Sequence, residues 1–336
     1  NCLTTKVADM TLIRVFPGDQ NLLIMGIVMA FWGVLYALRE NDFRRLLCYH
    51  IISQMGIIIA GIGIGTPLAL NGAVALTIGN MIYKGLLFMT AGAVVYATDK
   101  TKLTELSGLA KQLPGVAFIF FIAALAIAGM PGFAGFATKP MILSAASAAH
   151  MDWAELLLIF AGLGTFLSIP LKMGYFLFLA PPKEGQENPI KRKIPIHMYW
   201  AMGILTVVCV VIGLFPQILY QMLPYTIPYT SYHIGHILQE CQLLVAAALT
   251  FYLMRPIAKP HAGITLDFDW FYRVPLRNFF LDLSKGIDKI RGLFWDDIIR
   301  MVKKASVWNR NPYRTFAGNT ENQPVSFDPD HYRAPM

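Results

Sequence analysis

Long apolar runs separated by short polar interruptions dominate the chain. Crossing a hydrocarbon core of about 30 Å takes about 20 predominantly apolar residues in a helix. The stretches 21–38, 46–64, 67–97, 115–147, 154–179, 198–220 and 236–254 meet or approach that requirement. The opening piece, 1–16, has a helical pattern but is too short to cross, so it reads as the end of a helix that continues upstream. The run 115–147 is too long for one straight span, since at 1.5 Å per residue it would extend roughly 48 Å. Its middle reads Ala128-Gly129-Met130-Pro131-Gly132, followed by Gly135 and Pro140. Proline removes a backbone donor and glycine loosens the helical ladder. The pattern therefore predicts two half-helices joined by an unwound stretch, a break tolerated only where protein or a water-filled cavity surrounds it. A plain proline kink is the bland alternative.

Past Arg255 the pattern changes. Over 276–302, Leu276, Phe280, Leu283, Ile287, Ile290, Phe294, Ile298 and Met301 recur at helical spacing, and Asp282, Lys285, Asp288, Lys289, Arg291, Asp296 and Arg300 fill the other faces. This predicts an amphipathic helix lying on a membrane surface or against a partner subunit. The last thirty residues are poor in aliphatics and read as extended. The predicted organisation is a transmembrane bundle over 1–254 and a cytoplasmic amphipathic helix with its tail over 255–336.

Composition agrees with this reading. Of the 336 residues, 56% are hydrophobic and 14% charged, where soluble domains carry about 25% charged. The net charge of +8 does not point to nucleic acid, because the basic residues lie in short loops and in the tail. Loops 39–45, 98–114 and 180–197 carry lysine and arginine, while 17–20, 65–66, 148–153 and 221–235 carry neither. The positive-inside rule then puts the first set and the C-terminus in the cytoplasm, in a multi-pass protein of the inner (cytoplasmic) membrane. Arg14 alone runs against this separation. Cys2, Cys48, Cys209 and Cys241 have no metal-ligand spacing and read as small buried hydrophobes. No phosphate loop, hydrolase triad or redox motif appears, so neither cofactor nor metal is expected, and electron transfer would belong to other subunits.

Against this apolar background stand Lys6, Lys84 and Lys139. A lysine at the bilayer centre costs about 2.5–3.5 kcal/mol on translocon scales, and holding a helix in lipid needs none. Aligned on successive spans, they are what a charge-transfer path requires. At an effective dielectric of 20, two charges about 8 Å apart couple by roughly 2 kcal/mol, so protonating one disfavours protonating its neighbour. Structural lysines bonded to backbone are the alternative. Lys172 lies about two turns from the end of 154–179, so it either snorkels to the headgroups or joins the path. His50 either caps its loop or serves as a relay. His233, His236 and Glu240 cluster at one end of the last span; an interfacial cluster is favoured there over a metal site.

Several segments resemble a known family. Asp42-Phe43-Arg44-Arg45-Leu46-Leu47-Cys48-Tyr49-His50-Ile51-Ile52-Ser53-Gln54-Met55-Gly56 is similar to the D-x-K-R-x-L-A-Y-S-x-I-S-Q-x-G segment of proton-translocating antiporter-like subunits. These occur in respiratory complex I, Mrp-type sodium/proton antiporters and energy-converting membrane hydrogenases. Asn80-Met81-Ile82-Tyr83-Lys84-Gly85-Leu86-Leu87-Phe88 resembles H-x-x-x-K-x-x-L-F, and Ser107-Gly108-Leu109 with Gln112-Leu113-Pro114 resembles G-G-L-x-x-x-x-P. The run from Ala128 to Lys139 is similar to A-G-x-P-P-F-x-G-F-x-S-K on a broken helix, and Thr5-Lys6-Val7 leading to Arg14-Val15-Phe16 resembles the middle-helix lysine segment of the Mrp D-type subunit. The match is specific to about residue 180 and rests on hydropathy and weak similarity beyond it.

The resemblance implies an all-α polytopic fold: the second five-helix repeat of an antiporter-like parent, with one discontinuous helix. It maps the eighth-, eleventh- and twelfth-helix path residues onto Lys6, Lys84 and Lys139. Two departures stand out. Asn80 replaces a histidine, and His50 occupies a usual serine position, where a relay could have moved. The parent's glutamate on the fifth helix and lysine on the seventh would lie upstream of residue 1. A partner subunit is then expected to supply the missing repeat, alongside other membrane subunits and the lipid bilayer. The implied role is a non-catalytic, proton-translocating subunit, with Na⁺/H⁺ exchange as a variant, in a quinone-reductase-like, hydrogenase-like or antiporter complex. A structural or assembly subunit is the competing role, and a stand-alone transporter a weaker third.

Overall fold

The computed structural model describes residues 4–181, 190–260 and 269–310. It divides into two compact units, Asn1–Thr265 and Leu266–Met336. The predicted tail and much of loop 180–197 lie outside the described residues, as does Cys2.

The first unit is a helical bundle. In chain order it contains α1 (Thr4–Val15), α2 (Gln20–Arg39), α3 (Phe43–Ile64), α4 (Pro67–Thr98), a short α5 (Leu109–Gln112), α6 (Pro114–Ala128) and α7 (Ala134–Ala148). Then follow α8 (Asp152–Phe166), continued by π-helical turns at Leu167–Met173 and Tyr175–Leu179, α9 (Ile196–Leu214), a short α10 (Gln217–Tyr220) and α11 (Ile234–Ala258). Local chemistry sets the boundaries. The Asp42 carboxylate accepts from the Arg44 and Arg45 amides and opens α3, while Gly65, at φ +73°, closes it. Thr66 caps α4 with Pro67 at its first position, where a missing N–H is harmless.

Among the described residues, six helices are long and apolar enough to cross a membrane: α2, α3, α4, α8 with its π-helical continuation, α9 and α11 as far as Arg255; Pro114–Ala128 is a shorter apolar helix. In the most apolar window of α3, 89% of residues are buried, against 39% for α2 and 11% for α11, so α3 is the axis and α11 lies at the rim. The outward faces of α2, α9 and α11 expose residues such as Trp32, Trp200, Val207, Leu249 and Tyr252. An unbroken apolar exterior is what lipid or a neighbouring membrane subunit covers.

Small residues bring α2 and α3 together. A Cβ at Gly33 would fall 2.6 Å from both the Ser53 nitrogen and the Tyr49 oxygen, and one at Gly26 would fall 2.7 Å from the Gly56 oxygen. Without a hydrophobic driving force between helices in lipid, such close backbone packing is a main source of association.

The predicted break falls between α6 and α7, where Gly129 (φ +91°) and Gly132 (φ +94°) take left-handed conformations. Tyr232 straps it: its hydroxyl accepts from the Gly132 amide (3.1 Å) and donates to the Gly213 carbonyl (2.6 Å). Segment 221–233 is tied down further where Asn71 and Tyr225 exchange two hydrogen bonds.

Cys209 is buried, whereas Cys48 and Cys241 sit on the exposed exterior. This corrects the reading of all the cysteines as buried: both lie in apolar runs, but on helix faces that the chain itself does not cover. The second unit contains α12 (Asp269–Phe271), a π-helical turn at Tyr272–Leu276 and α13 (Arg277–Arg310). The amphipathic helix predicted over 276–302 thus continues to Arg310, and within its own unit Leu283, Ile287, Ile290 and Phe294 are exposed.

Candidate functional site

Lys6, Lys84, Lys139, Lys172 and His50 are all buried, and they come from α1, α4, α7, the π-helical extension of α8, and α3. The apolar periodicity of each helix would place an ordinary side chain there; an ionisable one survives only with polar partners.

Each lysine has such partners. The Lys6 ammonium donates to Asp9 Oδ2 at 3.2 Å and to Met55 Sδ at 3.1 Å. Asp9 is fully buried and is also approached by the Thr77 hydroxyl at 3.5 Å. Lys84 Nζ donates to the His50 carbonyl at 2.7 Å, and Lys139 Nζ to the Ile127 carbonyl. Ile127 lies in the last turn of α6, where carbonyls lack intrahelical donors and a cation is favoured. Lys172 Nζ donates to the Leu38 carbonyl at 2.6 Å and the Glu40 carbonyl at 2.7 Å. It therefore closes the end of α2 and does not snorkel to a surface. The π-helical turns around it contain Pro170, whose missing N–H is accommodated by the wider ring.

His50 joins these groups. It does not cap the loop before α3; its Nε2 lies 2.7 Å from Ser168 Oγ. The charges of Lys84, Lys139 and Lys172 all act on its imidazole, and those of Lys6 and Lys84 act on Asp9. Further polar side chains line the same interior. Gln54 Nε2 donates to Thr165 Oγ1 at 3.4 Å, and the Tyr83 hydroxyl reaches Gln54 Oε1 at 3.5 Å. Both amide atoms of Asn80 are buried without a hydrogen-bond partner among the described residues.

Asp9, Ser168, Gln54, Thr165 and Glu240 belong to this network without having been predicted as site residues. The signal for most of them is spacing. Asp9 follows Lys6 by three, Gln54 follows His50 by four, and Thr165-Ser168-Lys172 and Thr77-Asn80-Lys84 repeat at three and four, so each set shares one helix face. Glu240 shares a face with His236, four residues before it, but its relation to Lys139 has no such signal, because Lys139 lies on another helix. Glu240 acts electrostatically on Lys139, and with His236 it lines a cleft of about 420 Å³. His233, by contrast, accepts from the Gly235 amide and caps α11. Among the described residues no group of three or more His, Cys, Asp or Glu is placed to hold a metal ion.

Comparison with known proteins gives the following. The family described as NADH:quinone oxidoreductase/Mrp antiporter, TM, matches residues 4–168. An Na(+)/H(+) antiporter subunit of the D type from Alkalihalophilus pseudofirmus is 36% identical over 196 residues, 55% of this chain and 39% of that protein. A chain of the Mrp complex from Dietzia sp. DQ12-45-1b matches with a TM-score of 0.59 and 28% identity, over 65% of this chain and 49% of that one. A chain of the membrane-bound sulfane sulfur reductase, an archaeal respiratory membrane complex, matches at 0.57 and 25%, over 90% of this chain and 53% of its own. The chain thus spans less than half of the curated relative and about half of each solved neighbour.

Proposed function

Because this multi-pass membrane chain belongs to the antiporter-like subunit family of NADH:quinone oxidoreductases and Mrp antiporters, we propose that it moves protons along its buried lysines, within a complex of several membrane subunits. The observation that carries this reading is the arrangement around His50. Lys84 bonds its carbonyl, Ser168 its ring, and three ammonium groups act on it.

The route runs from Lys172 through Ser168 and His50 to Lys84, and branches to the Lys6–Asp9 pair and to Lys139. Each ammonium is held by backbone carbonyls or a carboxylate, so a proton can leave and return without the side chain losing its position. The charges sense one another: at an effective dielectric of 20, removing one charge changes the energy of another 8 Å away by about 2 kcal/mol. A charge change at one end therefore shifts the protonation balance at the next site. The unpartnered amide of Asn80, between Thr77 and Lys84 on α4, supports a hydrated passage, since buried polar atoms of this kind usually bind ordered water.

The lysine- and arginine-bearing loops at 39–45 and 98–114 face the cytoplasm on this reading, and Lys172 is the inner end of the route. On this reading other membrane subunits stand beside this chain, since the solved chains it matches come from the Mrp complex and from an archaeal respiratory membrane complex.

Lys84→Ala and Lys139→Ala test the route. Both should abolish coupled transport by the reconstituted complex while the complex still assembles, and full transport in both would refute it. An assembly role is the second reading, favoured by the exposed apolar face of α13. Deleting 276–336 separates the two, because loss of assembly with transport intact in the residual complex would favour assembly.

A further inference from the structure

The geometry points to Glu240 as the exit group of this path, the carboxylate that takes a proton from Lys139 and delivers it to the outer cleft. The inference rests on the lysine route proposed above.

Three observations carry it. First, Glu240 reaches the helix break. A Cβ built on Gly129 would stand 3.8 Å from Lys139 Cδ and 3.9 Å from Glu240 Oε2, so both side chains border that glycine without forming an ion pair. Second, Glu240 belongs to two cavities. One, of about 40 Å³, is lined by Lys139, Ala128 and Ile57; the other, of about 420 Å³, is lined by Ser144, Glu155 and His236. Lys139 touches only the first, His236 and Glu155 only the second, and Glu240 both. Third, the second cavity lies where α7 ends and α8 and α11 begin. That end of the bundle carries loops 17–20, 65–66 and 148–153, which have no lysine or arginine. A half-buried carboxylate from the rim helix therefore stands between the last buried ammonium and an opening.

The transfer balances simply. Through water in the first cavity, the Lys139 ammonium gives one proton to the Glu240 carboxylate, leaving a neutral amine and a neutral carboxylic acid. Glu240 then rotates or relays that proton into the second cavity and regains its negative charge, and the amine is reprotonated from the interior. An acid in this place also removes the cost of moving a bare ammonium charge past the break. The hydrogen bond from Lys139 to the Ile127 carbonyl keeps the amine positioned while it is neutral.

The test uses the whole complex in proteoliposomes, with proton flux read by a pH-sensitive dye. Glu240→Gln keeps size and hydrogen bonding but cannot carry the proton; it should assemble normally and lower flux at least tenfold, and Glu240→Asp should recover most of that loss. Wild-type flux in Glu240→Gln, with Lys84→Ala inactive, overturns the exit role and leaves the route standing. Wild-type flux in Lys84→Ala removes the route itself, and the exit role falls with it. Glu240→Asp performing no better than Glu240→Gln also overturns the role, since a titrating carboxylate would have been restored. If Glu240→Gln fails to assemble, Ser144→Cys decides. Labelling by a membrane-impermeant thiol reagent, from the side opposite the arginine-bearing loops, supports the exit, and complete protection overturns it.

Discussion

Removing the Asp9 carboxylate should expose how strongly the path is electrostatically braced. Asp9 is fully buried, its partner Lys6 nearly so, and they stand 3.2 Å apart. At that separation and an effective dielectric of 20, the attraction is about 5 kcal/mol. Part of this offsets the loss of hydration on both groups, but deleting one partner leaves the other charge alone in the interior, which typically costs 3–5 kcal/mol. Asp9→Asn keeps the shape and should destabilise the purified complex by about that amount. Lys6→Met should do the same, and the double variant Lys6→Met/Asp9→Leu should be within about 1 kcal/mol of the parent, because well-packed apolar replacements of buried pairs are often neutral. The measurement is a double-mutant cycle on unfolding of the complex by denaturing detergent, followed by intrinsic fluorescence. A coupling energy under about 0.5 kcal/mol is what independent sites show; that result would refute the pairing and the premise that charge is felt along this interior.

Other expectations follow from the packing. Gly33→Ala should lower assembly and thermal stability, measured by size-exclusion yield and melting temperature, because the new methyl meets the backbone of α3 at 2.6 Å; unchanged yield would mean that the helices separate freely. Lys172→Met should lower the melting temperature, because two buried carbonyls at the end of α2 lose a charged donor, each such bond contributing about 1.5–3 kcal/mol. Lys172→Arg should recover part of it, and an unaltered melt in Lys172→Met would exclude the capping role.

Much of this molecule can be read without coordinates, for particular reasons. The spans are legible because a bilayer imposes length and apolarity at once. The broken helix is legible because the run 115–147 is too long and has glycine and proline at its middle; the break falls at 129–133. The buried lysines stand out because a charged side chain is the costliest thing an apolar helix can carry. What could not be read is pairing between helices. Lys139 and Glu240 are about a hundred residues apart, and their shared position around Gly129 depends on how α11 lies over the break. The destination of Lys172 was equally hidden, since a lysine near a helix end has the reach to find water, and only the position of α2 gives it two carbonyls instead. The exposure of Cys48 and Cys241 follows from which faces the chain leaves uncovered, a question that hydropathy does not address.

The phenol of Tyr232 bridges Gly132 in the break and Gly213 near the close of α9, from a position just ahead of α11. Three distant portions of the polypeptide thus share one oxygen atom. A chain shortened after α9 would leave the Gly132 amide without its acceptor and the Gly213 carbonyl without its donor. The final two spans are therefore mechanically inseparable from the break they fasten.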